Sequence, residues 1–218
     1  MKTKIIHSIA LAGLLGVAST QASASVYNFV NLIDTANGTI TGTLGNGNAF
    51  AGNPGEAGFQ TFDWTVDGLT LTATGRTAAS GAFAYLDSGN AGLGVCKALN
   101  GNNQCAPSSD DNVTVNEILD LHFDKLAKID FNQGVFRDAG HDIINPNIEI
   151  SVDGSSFSTL NLDSMQQGTD FEFRTLNSAN QFYISVLSAD AVSVPTPGTL
   201  VLFALGLVGL SVARRKHI

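Results

Sequence analysis

Charged side chains are scarce in this sequence of 218 residues, and cations are the scarcer kind. Asp, Glu, Lys and Arg make up 14% of the chain, against about 25% in an average soluble protein. The 11 Lys and Arg residues face 19 Asp and Glu residues, so the formal net charge is -8. Proteins that bind nucleic acid need Lys and Arg to displace counterions from phosphates, so the composition argues against a nucleic-acid partner.

Cysteine, methionine and proline are also rare, with 2 Cys, 2 Met and 5 Pro. Two cysteines exclude a disulfide-dense mini-protein and a zinc site of the four-cysteine kind. Hydrophobic residues, in contrast, make up 44% of the chain, which is enough for a sizeable core. Length and composition therefore indicate one folded domain, or two small ones, and not a disordered chain.

The first 24 residues have the three parts of a secretory signal peptide. Lys2 and Lys4 form a positive segment, residues 5–17 are mostly apolar, and residues 22–24 are the small residues that signal peptidase accepts. The alternative is an N-terminal membrane anchor, for which the apolar run is short. We therefore expect signal peptidase to cleave after Ala24.

The chain ends in a second patterned segment, over residues 194–218. Residues 199–213 carry no charge, and as a helix they would be about 22 Å long. Such a helix can span a hydrocarbon core of about 30 Å if flanking arginines snorkel and the bilayer thins. A short motif and a basic cluster flank the uncharged residues: Val194, Pro195, Thr196 and Pro197 before them, and Arg214, Arg215 and Lys216 after them.

We expect a transmembrane helix with its basic end in the cytoplasm, so that residues 25–197 lie on the far side of the inner membrane. The alternative is a buried core helix. A core helix would normally have a polar side that faces solvent, and residues 199–213 have none. A core helix also does not explain the three cations at its end.

This arrangement resembles the PEP-CTERM sorting signal, in which a proline pair precedes a short helix rich in Leu, Gly and Ala and a basic cluster. Thr196 stands where the best-matching form has Glu. The resemblance implies processing at or near the proline pair by an exosortase, a membrane-embedded cysteine protease-transpeptidase. It also implies a Gram-negative bacterium that makes exopolysaccharide, and a place at the cell surface or in a biofilm matrix.

Removal of both ends changes the charge balance of the chain. Five of the 11 cations lie in the removed segments and none of the 19 acidic residues does, so the mature domain has six cations and a net charge of -13. Such a domain is soluble, binds polyanions poorly and is a candidate binder of divalent cations.

Short apolar runs separated by turn residues predict about ten strands in the middle of the chain. They cover residues 26–32, 61–66, 69–74, 82–86, 118–123, 126–131, 148–152, 157–160, 171–173 and 182–186. Asp67-Gly68 and Asp153-Gly154 predict turns, and Asp124-Lys125 is placed to join two paired strands. Residues 36–58 predict a long loop or a weakly paired edge. We therefore predict an all-β domain over residues 25–193, a two-sheet β-sandwich of jelly-roll-like order.

Cys96 and Cys105 enclose eight residues. In an exported protein this spacing predicts a disulfide that closes a short loop and stabilises the fold by about 2–3 kcal/mol. Free thiols or a metal-ligating pair are the alternatives. The residues around the pair, from Gly92-Leu93-Gly94-Val95 to Glu117, resemble extracellular domains of PEP-CTERM proteins, which implies fold and not catalysis.

Asp110, Asp111, Asn112 and Glu117 offer hard oxygen ligands within one loop and are candidate calcium ligands, because calcium takes 6–8 such oxygens. Their spacing differs from that of an EF-hand. The alternative is a polar turn in which Asp110 or Asp111 accepts hydrogen bonds from nearby backbone N–H groups.

No catalytic motif is present, so we predict that the chain is not an enzyme. The region between the ends has two histidines, His122 and His141; Asp138 and Asp142 form a weaker candidate cluster near His141. Four aromatic residues are candidates either for stacking on sugars or for core packing: Trp64, Tyr27, Tyr85 and Tyr183.

The sequence thus predicts an exported protein with a structural or adhesive role in an exopolysaccharide or biofilm matrix, with signal peptidase, an exosortase and extracellular polysaccharide as partners. One alternative is a secreted carbohydrate-binding module that uses exposed Trp64 or tyrosine rings. A weaker alternative is an extracellular glycoside hydrolase that uses two carboxylates.

Overall fold

The computed structural model describes residues 24–30, 43–44 and 56–192. Apart from Ala24, the predicted signal peptide lies outside these residues, as do the predicted sorting signal and its helix over 199–213. In the part of the chain that is described, none of the helices is long and apolar enough to cross a membrane.

The described elements are mainly strands, so the predicted all-β class is confirmed. The strands are β1 (Ser25–Asn28), β2 (Thr43–Leu44), β3 (Ala57–Phe59), β4 (Thr61–Val66), β5 (Leu69–Thr77), β6 (Gly81–Asp87), β7 (Gly92–Cys96), β8 (Glu117–Asp130), β9 (Val135–Arg137), β10 (Ile143–Ile144), β11 (Glu149–Val152), β12 (Ser158–Thr159), β13 (Met165–Arg174) and β14 (Tyr183–Ala191). Two 3₁₀ turns lie at Phe131–Gln133 and Ser178–Asn180.

Hydrogen bonds join these strands into one sheet with the order β10-β9-β14-β7-β6-β5-β8-β13-β11-β12. β8 also pairs with β14, so the path β14-β7-β6-β5-β8 returns to its start. The described pairing is therefore continuous and does not separate into the two sheets of the predicted jelly-roll-like sandwich. β8 joins β5 to β14 in this path, because its first half pairs with β5 and its second half with β14.

The two strongest turn predictions hold in the structure. Asp67 and Gly68 have φ angles of 50° and 77°, and they join β4 to β5 with Val66 opposite Leu69. Positive φ at both central residues is the geometry that two-residue hairpins favour. Asp153 and Gly154 have the same pattern, with φ of 50° and 73°.

The predicted turn at Asp124-Lys125 is wrong, because residues 117–130 form one 14-residue strand. The polar pair bonds to the neighbouring hairpin: the Thr70 N–H donates to Asp124 Oδ1 at 2.8 Å, and Lys125 Nζ donates to the Gly68 carbonyl. The two charged residues interrupt the apolar pattern where β8 changes partner, and the backbone stays extended. The sequence pattern could not separate this exchange of neighbours from a turn.

Several short strands were missed. The sequence predicts no strand at β7, β9 or β10. β2 and the first two residues of β3 lie within residues 36–58, predicted as a long loop or a weakly paired edge, most of which is outside the described residues. Glycines in β7 and the two- or three-residue length of the others remove the alternation on which a strand prediction depends.

Aromatic rings fill the core. Trp64 is 4% exposed; it stacks on Phe62 at 5.2 Å between ring centroids and meets Phe29 edge-on at 5.3 Å. The Tyr27 hydroxyl is buried and donates to the Leu69 carbonyl at 2.7 Å. Tyr85 packs against the two cysteines and Leu99 in a separate small cluster, again fully buried. Core packing, and not an exposed sugar platform, is therefore the role of these rings.

Candidate functional site

A closed loop follows β7. The sulfurs of Cys96 and Cys105 lie 2.03 Å apart and their Cα atoms 5.8 Å apart, as the predicted disulfide requires. Inside the loop, Asn100 Oδ1 accepts hydrogen bonds from the N–H groups of Asn102 and Gln104. The disulfide and these bonds hold the loop beside the acidic residues that follow it.

Lys97, Asp110 and Glu117, here called the lysine cluster, meet at the base of this loop. Lys97 Nζ lies 2.7 Å from Asp110 Oδ1 and 2.6 Å from Glu117 Oε1. The Lys97 N–H also donates to Asp110 Oδ2 at 3.1 Å, and the Thr114 N–H donates to Glu117 Oε2 at 2.7 Å. One ammonium group thus bridges two carboxylates.

Burial and pairing act against each other in the lysine cluster. The Glu117 side chain is fully buried, and burial raises the pKa of its carboxyl, while the ion pair with Lys97 and the hydrogen bond from Thr114 oppose that rise. Burial lowers the pKa of Lys97, but the hydrogen bond to Asp110 and the ion pair with Glu117 outweigh it and leave that pKa raised. Ion pairing therefore keeps the Lys97 ammonium charged, and this charge compensates for the burial of the Glu117 carboxylate.

A second group, here called the histidine cluster, contains Glu56, Asp87, Asp111, His141 and Tyr183. One oxygen from each of the three carboxylates lies within 4.8 Å of the other two. The Tyr183 hydroxyl donates to Asp111 Oδ1 at 2.6 Å, and His141 Nε2 lies 3.1 Å from Asp87 Oδ2. The side chains come from distant parts of the sequence, so only the fold brings them together.

The strands and one turn position this cluster. Asp87 is the last residue of β6 and Tyr183 is the first of β14. His141 lies in a turn with φ of 67°; its Nδ1 is 2.9 Å from the Gly89 carbonyl oxygen, and its ring meets the Tyr183 ring edge-on at 5.6 Å. Contacts from both sides therefore hold the imidazole in one orientation.

Three groups of the histidine cluster, Asp87, Asp111 and Tyr183, have raised pKa values. Burial raises the pKa of Asp87 to about 8, with contributions from the hydrogen bond to Glu56 and the charge of Asp111. Burial also raises the pKa of Asp111, although the Tyr183 hydroxyl opposes this. Burial and the hydrogen bond to Asp111 raise the pKa of Tyr183. Within the described residues, no Lys or Arg forms an ion pair with these three carboxylates.

The four predicted calcium ligands do not converge. Asp110 and Glu117 bind Lys97, Asp111 belongs to the histidine cluster, and Asn112 Nδ2 donates to Gln181 Oε1 at 3.0 Å. A lysine ammonium takes the place between Asp110 and Glu117 that a cation would need. The predicted calcium site is therefore not assembled from these residues. Among the described residues, Glu56, Asp87 and Asp111 form the group of three carboxylates that are near enough to share a metal ion.

The weaker predicted cluster also divides. Asp138 Oδ1 accepts hydrogen bonds from the N–H groups of Gly140 and Asp142, which is a local turn, while His141 reaches Asp87. His122 lies on an exposed face of β8, with Nδ1 2.6 Å from Asp170 Oδ1. Sequence reasoning missed Lys97, Glu56 and Asp87, because none of them belongs to a motif or a local cluster.

Comparison with known proteins gives a finding for the end of the chain. A family model described as the PEP-CTERM protein-sorting motif matches residues 193–216. No curated protein and no solved structure matches the chain. The matched segment includes the predicted proline pair and the basic cluster, and it implies export through exosortase-type sorting with an exosortase as processing partner. The chain thus carries a PEP-CTERM sorting motif, which follows directly after the described all-β region.

Proposed function

We propose that this chain is a non-catalytic protein of the cell surface or extracellular matrix, with a structural or adhesive role in an exopolysaccharide or biofilm matrix. The observation that carries the proposal is the sorting motif at residues 193–216. In this proposal, signal peptidase removes residues 1–24, and an exosortase removes the hydrophobic tail at or near the proline pair. The predicted helix over 199–213 would anchor the chain in the inner membrane only until that step.

The β domain supports a role outside the cell. A cysteine pair at disulfide distance suits an oxidising compartment. A charge of -13 between the two predicted cleavage points keeps the domain soluble at high local concentration.

The two alternatives receive less support from the structure. A carbohydrate-binding module would need exposed rings, but Trp64, Tyr27, Tyr85 and Tyr183 are each at most 4% exposed. A glycoside hydrolase needs an acid with a raised pKa near a second carboxylate, which Asp87 and Asp111 provide. Asp87 is itself only 4% exposed, so a polysaccharide has no access to it.

The first experiment is the intact mass of the protein in each cell fraction of its native host. We expect the surface or medium fraction to contain a chain that lacks residues 1–24 and the hydrophobic tail. A double variant, Pro195→Ala with Pro197→Ala, should keep the tail and accumulate in the inner membrane. Thr196→Glu is the matched control, because it restores the best-matching form of the motif and should be processed at least as fast as the natural chain.

The basic cluster offers a second matched pair of variants. Replacing Arg214, Arg215 and Lys216 with Gln should impair sorting, whereas replacing both arginines with Lys should preserve it, because the positive charge sets the orientation of the helix. If the natural chain keeps its tail in the inner membrane, it is a membrane-anchored periplasmic protein and the proposal is wrong.

The matrix role has its own test. We expect the processed protein to co-sediment with exopolysaccharide isolated from the host, and deletion of its gene to weaken the matrix. Processed protein that stays free in the medium, together with an unchanged matrix after deletion, would leave export intact and remove the structural role.

A further inference from the structure

The first and last strands of the domain lie side by side. β1 and β14 are antiparallel, with Ser25 opposite Ala189 and Val26 opposite Ser188. Ala24 and Asp190 therefore lie at the same end of the strand pair. The segments that continue from both strands, toward the leader and toward the sorting motif, leave the domain at one pole.

The folded domain extends to the edge of the motif. Ala191 still pairs with Ala127 of β8, and the Val192 N–H donates to the Leu126 carbonyl at 2.8 Å. The motif begins at residue 193. Four residues lie between Val192 and Pro197, which are therefore five residue steps apart, and an extended chain of five steps reaches about 17 Å. An enzyme that acts at the proline pair must therefore come close to this pole.

An open groove of about 510 Å³ lies at the same pole. Ala24 and Val26 line it from the β1 side, Asp190 lines it from β14, and Met165 lines it from the start of β13. Val26 and Met165 are each 51% exposed, and they are two of the four large apolar side chains that are strongly exposed in the described part of the chain. Exposed apolar groups rimmed by polar ones are typical of interaction sites.

The rim of the groove is mixed in charge, with a small acidic excess. Lys128 and Asp190 lie directly opposite each other on β8 and β14, and Asp130 adds a second carboxylate. The groove therefore fits a partner surface that inserts an apolar side chain and carries a cationic group beside it.

We propose that this groove is the surface on which the enzyme that processes the C-terminal motif docks. The inference rests on the proposed function, since it requires that the tail is processed. Two observations favour this occupant: the short reach from Val192 to the proline pair, and the position of the groove between the exits of both terminal segments. Removal of the leader after Ala24 would make Ser25, the residue between the two lining residues Ala24 and Val26, the amino terminus.

The test compares two double variants of the full chain in the native host. The groove variant is Val26→Thr with Met165→Gln. The control is Ile143→Thr with Leu176→Gln, which makes the same kinds of change at side chains that are 68% and 65% exposed outside the groove. Tail removal is followed by pulse-labelling and intact mass. We expect the groove variant to be processed about fivefold more slowly than the natural chain, which is the effect of truncating central interface residues, and the control to be processed normally.

Two further measurements keep the outcome clear. The mass of the amino terminus shows whether Val26→Thr changes signal-peptide removal, and Met165→Gln alone tests the groove away from that site. Protease resistance of each variant shows that the domain is folded.

Equal processing of groove and control variants, with the natural chain processed, overturns the docking proposal alone. A natural chain that is never processed overturns the proposed function, and the docking proposal with it. If the natural protein is a dimer that only the groove variant dissociates, with processing unchanged, the groove binds a second copy and the proposal is wrong.

Discussion

Asp110 and Asp111 are neighbours in the chain, yet their carboxylates belong to two clusters in which the charge of buried carboxylates is compensated in different ways. Asp110 shares the ammonium of Lys97 with the buried Glu117. Asp111 accepts a hydrogen bond from Tyr183 and lies among other carboxylates, where burial raises the pKa of Asp87 to about 8. In the lysine cluster, the positive charge of Lys97 offsets the cost of burying a carboxylate. In the histidine cluster, bound protons that neutralise carboxylates offset that cost. The two clusters should therefore respond differently to mutation and to pH.

The largest effect should come from Lys97→Met. The substitution leaves the carboxylate of Glu117 buried without its ion-pair partner, and we expect the free energy of unfolding at neutral pH to fall by about 3 kcal/mol. Urea unfolding measures the loss. Lys125→Met is the control, because Lys125 is half-exposed and donates to a backbone carbonyl, and it should change stability by less than about 0.5 kcal/mol. Equal effects of the two substitutions would show that the lysine cluster contributes nothing special.

Asp87→Asn should have the next largest effect, with the opposite sign. The pKa of Asp87 is raised in the folded chain, so between about pH 4 and pH 8 the unfolded chain loses a proton that the folded chain keeps. The natural protein therefore loses stability as pH rises through this window, and Asn removes that loss. We expect the variant to gain about 2 kcal/mol over the natural protein at pH 8 and nothing at pH 4, because neighbouring carboxylates share the titration.

Thermal unfolding from pH 4 to pH 9 measures this difference. Asp163→Asn is the control, since Asp163 is exposed, and it should not reproduce the gain at pH 8. A gain for Asp87→Asn that is constant from pH 4 to pH 8 would contradict the raised pKa.

Tyr183→Phe should cost about 1 kcal/mol, because Asp111 loses the hydroxyl that donates to it. The cost should be greater at pH 8 than at pH 4, since a hydrogen bond to an ionised carboxylate is stronger than one to a neutral acid. Tyr27→Phe removes a hydroxyl that donates to a backbone carbonyl, so its cost should be independent of pH. Parallel pH profiles for the two variants would show that Asp111 does not change its protonation state between pH 4 and pH 8.

The smallest effect should be that of calcium on the lysine cluster. Because Lys97 already lies between Asp110 and Glu117, we expect Asp110→Asn to leave any response of the thermal midpoint to calcium or EDTA unchanged. Asp87→Asn is the comparison, since Glu56, Asp87 and Asp111 are close enough to share an ion. A calcium response that Asp110→Asn removes would restore the site that the sequence predicts.

Local chemistry explains which parts of the fold were predictable. The bounds of β4 and the hairpin at Asp67-Gly68 agree with the sequence pattern, because alternation and a two-residue turn are properties of neighbouring residues. The sequence predicts two strands in place of β8, because an exchange of neighbouring strands at Asp124-Lys125 has the same sequence pattern as a turn. The acidic residues at 110–117 were found as a group, but their division into two clusters depends on Lys97, Asp87 and Tyr183, which no local pattern connects to them.

The sequence by itself determined the sorting motif, the all-β class and the pairing of Cys96 with Cys105, because each of these is encoded in composition or short spacing. Only the tertiary structure decided that the chain leaves the domain at one pole, that Trp64 and the tyrosines are buried, and that Asp110 and Asp111 separate. These features depend on which distant strands pair and which side chains lose water. Both are set by the packing of the whole domain, and no short segment of the sequence predicts them.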